Sequence, residues 1–191
     1  MMSTNPLRLV LQAARRPLRR YAATTDAVIV VLLALTILAT VPDNRRMGSA
    51  LQVVLPLMAL GCAATRGNTV ESLGRFAVLQ VGVKGSKHLF GEAPVSRRPD
   101  GGSRGFPSGH TAVASFGAVQ MIRHCAPLHP VTNAAAVAAA ALAGGSRIES
   151  GRHSLWQTIA GAVWGWVVAT LPLGVFRGAG RWLRRARGRH V

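Results

Sequence analysis

LWQTIAGAVWGWVVATLPLGVF, residues 155–176, is an apolar run without a single charged side chain. A helix of about 20 residues crosses a bilayer core, and this run alone is long enough without help from its flanks. Immediately before it stands SRIESGRHS, residues 146–154, with two arginines and a histidine. At helical spacing His153 and Gln157 share one face. Cations and an imidazole gathered at the mouth of an apolar helix raise the question of what they bind.

Working outward, shorter apolar runs occupy residues 27–41, 50–64, 107–122 and an alanine-rich 131–143, with a weaker one at 70–83. The chain has 191 residues, 49% of them hydrophobic, a mean hydropathy of +0.28, and Lys+Arg 23 against Asp+Glu 6 for a net charge of +17. Charge alone would suit nucleic acid, whose phosphates need only lysines and arginines. Six apolar runs in so short a chain leave too little polar sequence to cover them in water. The expected fold is therefore all-α: a polytopic membrane bundle of six transmembrane helices, with the lipid bilayer and not nucleic acid as partner.

Arginines cluster before the first run, at Arg15, Arg16, Arg19 and Arg20, and after the last, from Arg177 to Arg189. The positive-inside rule then places both termini in the cytoplasm, which requires an even number of spans. Parity retains the third run despite Glu71, Arg75 and Gln80; Glu71 and Arg75, four apart, pair on one face near the cytoplasmic end. The expected organisation is a basic segment at 1–25, a membrane domain at 26–176 and a basic tail at 177–191. The first run has no cleavage pattern behind it and reads as a retained helix, not a signal peptide. Cys62 and Cys125 make neither a metal-ligand spacing nor a plausible disulfide scaffold and read as two small buried or interfacial residues.

This threading puts residues 42–48, 84–106 and 144–152 outside. The last two loops carry Lys84, Lys87, Arg97, Arg98, Arg104, Arg147 and Arg152, against the charge rule, and a bound anion accounts for them. Pro107 is placed as an early helix residue, so that Ser108 and Gly109 offer backbone N–H groups at the positive end of a helix, a ready anion site. His110 sits at that end, and His153 opens another span on the same side. Guanidinium forks hold phosphate oxygens, while one imidazole can attack phosphorus and the other protonate a leaving oxygen. No residue pattern suggests a metal.

PSGH at residues 107–110 and SR-x5-H at Ser146, Arg147 and His153, in that order and on one side, resemble the type 2 phosphatidic acid phosphatase superfamily, membrane branch, which shares its site with the vanadium haloperoxidases. The resemblance implies His153 as the nucleophile of a phosphohistidine, and His110 as the acid for the leaving alkoxide. It implies Lys87, Arg98, Ser108, Gly109 and Arg147 as the phosphate grip, and neither metal nor cofactor. Two departures stand out. The family's lysine, seven positions before Arg98, falls here on Gly91; Lys87 is preferred, with Lys84 second. Gln157 stands where the motif has aspartate, and a glutamine carbonyl can hold the histidine ring but lends no charge.

Arg97, Arg104 and Arg152 are secondary candidates, either head-group contacts or solvated loop charges. Asp100 is expected to turn the loop at Asp-Gly-Gly. The expected function is a metal-independent phosphatase of a lipid phosphate monoester or diphosphate, facing the periplasm of a bacterial-type inner membrane. A lipid-to-lipid phosphotransferase and a non-catalytic lipid-phosphate-binding homologue remain open alternatives.

Overall fold

The computed structural model describes residues 24–41, 43–125, 129–172 and 174. The arginines on which the placement of both termini rests, at 15–20 and from 177 onward, lie outside the described residues. Within them the chain forms six α-helices and no strand: α1 (Thr24–Thr40), α2 (Asn44–Thr65), α3 (Thr69–Leu89), α4 (Gly109–His124), α5 (Pro130–Glu149) and α6 (Leu155–Thr170). A single 3-10 turn, Pro94–Ser96, lies between α3 and α4.

Each helix grows from one apolar run, and local chemistry moves the ends. Asp43 caps α2, its Oδ1 accepting from the backbone N–H groups of Arg45 (2.9 Å) and Arg46 (3.2 Å). Most of the outer loop expected at 42–48 is therefore helix. At the other extreme, Leu171 takes φ −50° and ψ 137° ahead of Pro172, because a proline disfavours helical backbone in the residue before it. The run at 155–176 thus yields a helix of only 16 residues, about 24 Å long. Among the described residues, the helix with both the length and the apolarity to cross a bilayer by itself is α2, with 22 residues, and not the last run as expected.

α4 is the central helix, packed against α2, α5 and α6. Gly161 and Gly165 bring α6 onto it: a Cβ on Gly161 would stand 2.4 Å from the Ser108 carbonyl oxygen, and one on Gly165 2.2 Å from that of Ala112. Small residues four apart let two helix backbones touch. The start of α4, the end of α5 and the start of α6 consequently share one end of the bundle.

The opposite end is closed by side chains on the last carbonyls of α6, which have no partner within the helix. Arg75 Nη1 donates to Val168 O (3.0 Å) and Ala169 O (3.3 Å), and Gln120 Nε2 and an Arg123 guanidinium nitrogen also donate to Ala169 O. Arg75 Nη2 lies 2.7 Å from Glu71 Oε1, so the expected four-apart pair forms. Cys62 and Cys125 are not separate thiols, as expected, but a disulfide joining the C-terminal ends of α2 and α4. The two helices run parallel and bring the Cα atoms to 5.1 Å; a sequence separation of 63 gave no hint of this.

Candidate active site

Three segments meet at the shared end. The first is the loop from Phe90 to Pro107. Asp100 Oδ1 accepts from Gly102 N–H (3.1 Å), and Gly101, at φ +85°, reverses the chain, as expected of Asp-Gly-Gly. Arg98 N–H donates to Gly102 O (2.8 Å) and Gly105 N–H to Ser96 O (2.7 Å). These bonds fix the backbone that carries Arg98.

The second segment is the start of α4. Ser108 is its cap and Pro107 lies just outside the helix, not in its first turn as expected. The Ser108 backbone N–H donates to Gln157 O (2.9 Å), so it is not open to an anion; the amides of Gly109 and His110 hold the first two helical positions instead. Those positions point unpaired N–H groups and the positive end of the helix dipole outward.

The third segment runs from Arg147 to Gln157. Arg147 closes α5, where a cation complements the helix C-terminus. Its carbonyl accepts from both Arg152 N–H (3.0 Å) and His153 N–H (3.1 Å), while Gly151 turns the chain at φ +67°. This compact turn gives the SR-x5-H spacing a structural cause: it folds His153 back beside Arg147.

His153 is buried, at 3% exposure, and its Nδ1 lies 3.3 Å from Gln157 Oε1. Burial first, then the charges of Arg98, Lys87 and Arg147, lower its pKa to about 4, while the Gln157 hydrogen bond opposes them. The imidazole is neutral at neutral pH, the form that carries a nucleophilic lone pair. Arg147, Lys87 and Arg98 also act electrostatically on His110, as does His153.

Among the described residues neither Arg98 nor Arg147 has an acidic side chain within ion-pair distance. Arg147 is 8% exposed, and its Nε, like the buried Nε of Arg98, meets no hydrogen-bond acceptor. A buried donor left unpaired costs about 1–3 kcal/mol, more when charged, and an oxyanion between the guanidiniums would remove that cost. Among the described residues no three His, Cys, Asp or Glu side chains converge.

The other candidates separate cleanly. Lys87, half-buried in the last turn of α3, faces Arg98, whereas Lys84 is exposed and bears on neither histidine. Arg97 and Arg104 expose their side chains, Arg104 at φ +58°. Arg152 pairs at the rim with Asp100, 3.5 Å away, and Glu149, between Arg147 and Arg152, accepts from Asn44 Nδ2. Sequence reasoning missed Arg45, whose charge acts on Arg147, and Gly105, against which Gln157 and Arg98 pack. It also missed that S-x-x-Q, Ser154 to Gln157, is a capping box, a pattern visible in the sequence.

Two imidazoles, two guanidiniums and a helix N-terminus at one end of a helical bundle have the chemistry to hold an oxyanion. Residues 73–180 match the PAP2 superfamily, and the chain belongs to that superfamily, the type 2 phosphatidic acid phosphatases, whose members are generally phosphatases acting on phosphate esters. No curated protein and no solved structure gives a match.

Proposed function

We propose that the chain is an integral membrane phosphatase that removes phosphate from a lipid phosphate monoester or diphosphate, without a metal, at the periplasmic face of a bacterial-type inner membrane. One observation carries this reading: buried Arg147 and half-buried Arg98, whose buried Nε atoms lack acceptors, act together on His110 and His153 beside the N-terminus of α4. Support for the bilayer comes from the outside of the bundle, where Leu38 of α1, Leu57 of α2, Val81 of α3 and Trp156 and Trp166 of α6 stand more than half exposed. A surface this apolar suits lipid better than water.

In the proposed mechanism the phosphate binds between Arg98, Arg147 and Lys87, with two oxygens toward the Gly109 and His110 amides. The His153 Nε2 lone pair attacks phosphorus and the bond to the lipid oxygen breaks, His110 giving that oxygen a proton. Water then attacks the phosphohistidine, returning a proton to His110 and releasing inorganic phosphate. The arginines stabilise the charge that builds on the equatorial oxygens in both steps.

The test is phosphate release by purified protein in detergent, with EDTA present, from phosphatidic acid, phosphatidylglycerol phosphate, a polyprenyl diphosphate and lipid A. Release from at least one lipid, unaffected by EDTA, is expected. No release from any of them would remove the hydrolase reading, and transfer of label to an added lipid in place of water would make the chain a phosphotransferase.

A further inference from the structure

Gln157 is bonded through every polar group it has. Its Nε2 donates to Val95 O (3.0 Å) and Arg97 O (2.8 Å), and its Oε1 accepts from Ser154 N–H (3.2 Å) and lies 3.3 Å from His153 Nδ1. Its backbone carbonyl takes Ser108 N–H and its backbone N–H meets Ser154 Oγ. The partners fix the amide's orientation: two carbonyls can be met only by the NH2 group, and a backbone N–H only by the oxygen. The capping box accounts for the oxygen alone. It does not require a donor, and glutamate would serve it as well.

The donor half has a different use. Val95 and Arg97 flank Ser96 and immediately precede Arg98, one of the two guanidiniums with an unpartnered Nε. Gly105 closes the same joint: a Cβ there would stand 2.7 Å from both amide atoms of Gln157 and 2.8 Å from Arg98 Cγ. We infer that Gln157 is a positioning residue for phosphate binding, its NH2 group clamping the Val95–Arg97 backbone so that Arg98 is seated over His153. The inference rests on the proposed phosphate site.

An aspartate at this position is one methylene shorter and has no N–H, and a glutamate has the length without the donor. Either would set a carboxylate against two carbonyl oxygens. The residue that the motif carries elsewhere would therefore impair this chain, because its loop has been built on an amide.

The test is direct binding of inorganic phosphate to the purified protein, measured calorimetrically beside lipid-phosphate turnover. Gln157→Glu and Gln157→Asp are expected to weaken phosphate binding about tenfold, and Gly105→Ala, which keeps the Gln157 side chain but sets a Cβ against its amide and against Arg98, to weaken it similarly. In an Arg98→Ala background the Gln157→Glu substitution is expected to cost little more, because its effect passes through Arg98. Wild-type binding in Gln157→Asp, or fully additive losses in the double variant, would overturn the inference. If Gln157→Glu does not fold, Gln157→Met, which keeps the length without the donor, takes its place: unchanged phosphate binding overturns the inference, and a tenfold loss that Arg98→Ala absorbs supports it. Phosphate binding that obeys this pattern while no lipid is hydrolysed would overturn the proposed function and leave the inference standing.

Discussion

Gln157 Oε1 lies 3.3 Å from His153 Nδ1, and because an amide oxygen only accepts, this contact puts the imidazole proton on Nδ1 and leaves Nε2 its lone pair. A carboxylate would do the same and add a negative charge. With the amide the ring remains beside three cations uncompensated, and it holds its proton poorly.

His153 should therefore titrate with a midpoint near pH 4, below its ordinary 6.5. Nitrogen NMR of the labelled imidazole, assigned by comparison with His153→Ala, reads this directly; a midpoint near 6.5 would show that the ring is not buried among the cations. The sign for stability follows. Between these values the unfolded chain takes the proton more readily than the folded one, so stability is lost as pH falls from 6.5 toward 4 and is intact above it.

The cationic residues should divide by position. Arg147→Ala is expected to lower kcat/KM by about 10²–10³, the scale for losing one stabiliser of a developing oxyanion. Arg152→Ala, which breaks an exposed pair with Asp100, should change it by less than about threefold. Lys87→Ala and Lys84→Ala should show the same contrast, and equal losses from both lysines would contradict the half-buried placement of Lys87.

Packing at the α4–α6 contact allows no added methyl. Gly165→Ala sets a Cβ against the Ala112 carbonyl, whereas Gly145 has nothing within 4 Å of an added Cβ. Thermal unfolding in detergent should show Gly165→Ala destabilised by about 1–3 kcal/mol, with Gly145→Ala close to wild type. Equal stability of the two would mean that α6 does not sit against α4 as described.

Arg75 offers the complementary case, stability without catalysis. It is 1% exposed, and Arg75→Met would leave Glu71 without its partner and the Val168 carbonyl without its side-chain donor, while Ala169 O keeps Gln120 and Arg123. A loss of about 3–5 kcal/mol is expected, with kcat of the folded fraction unchanged, because the residue lies at the end of the bundle opposite His153. A fall in kcat at constant stability would contradict that placement.

Much of the fold was legible because apolar runs and helices have the same cause, burial of a continuous non-polar surface. The ends were less so: Asp43 starts α2 earlier, and Pro172 stops α6 earlier, than hydropathy alone suggests. PSGH and SR-x5-H drew attention to His110, Arg147 and His153, which the structure gathers at one end. Long-range pairings were invisible. Nothing local to Cys62 points to Cys125, and nothing local to Ser108 says that its N–H is taken by Gln157. The donors of Gln157 were hidden for the same reason, since Val95 and Arg97 reach it only through a loop closed by Gly101 and Gly105.

The central claim is a covalent phosphohistidine on His153. Rapid quenching of the enzyme with the radiolabelled lipid phosphate that it turns over fastest tests it most directly. Wild type should carry protein-bound label that is stable in alkali and lost in acid, and His153→Ala should carry none and release no phosphate. Label retained by His153→Ala, or phosphate release at the wild-type rate without it, would contradict the account.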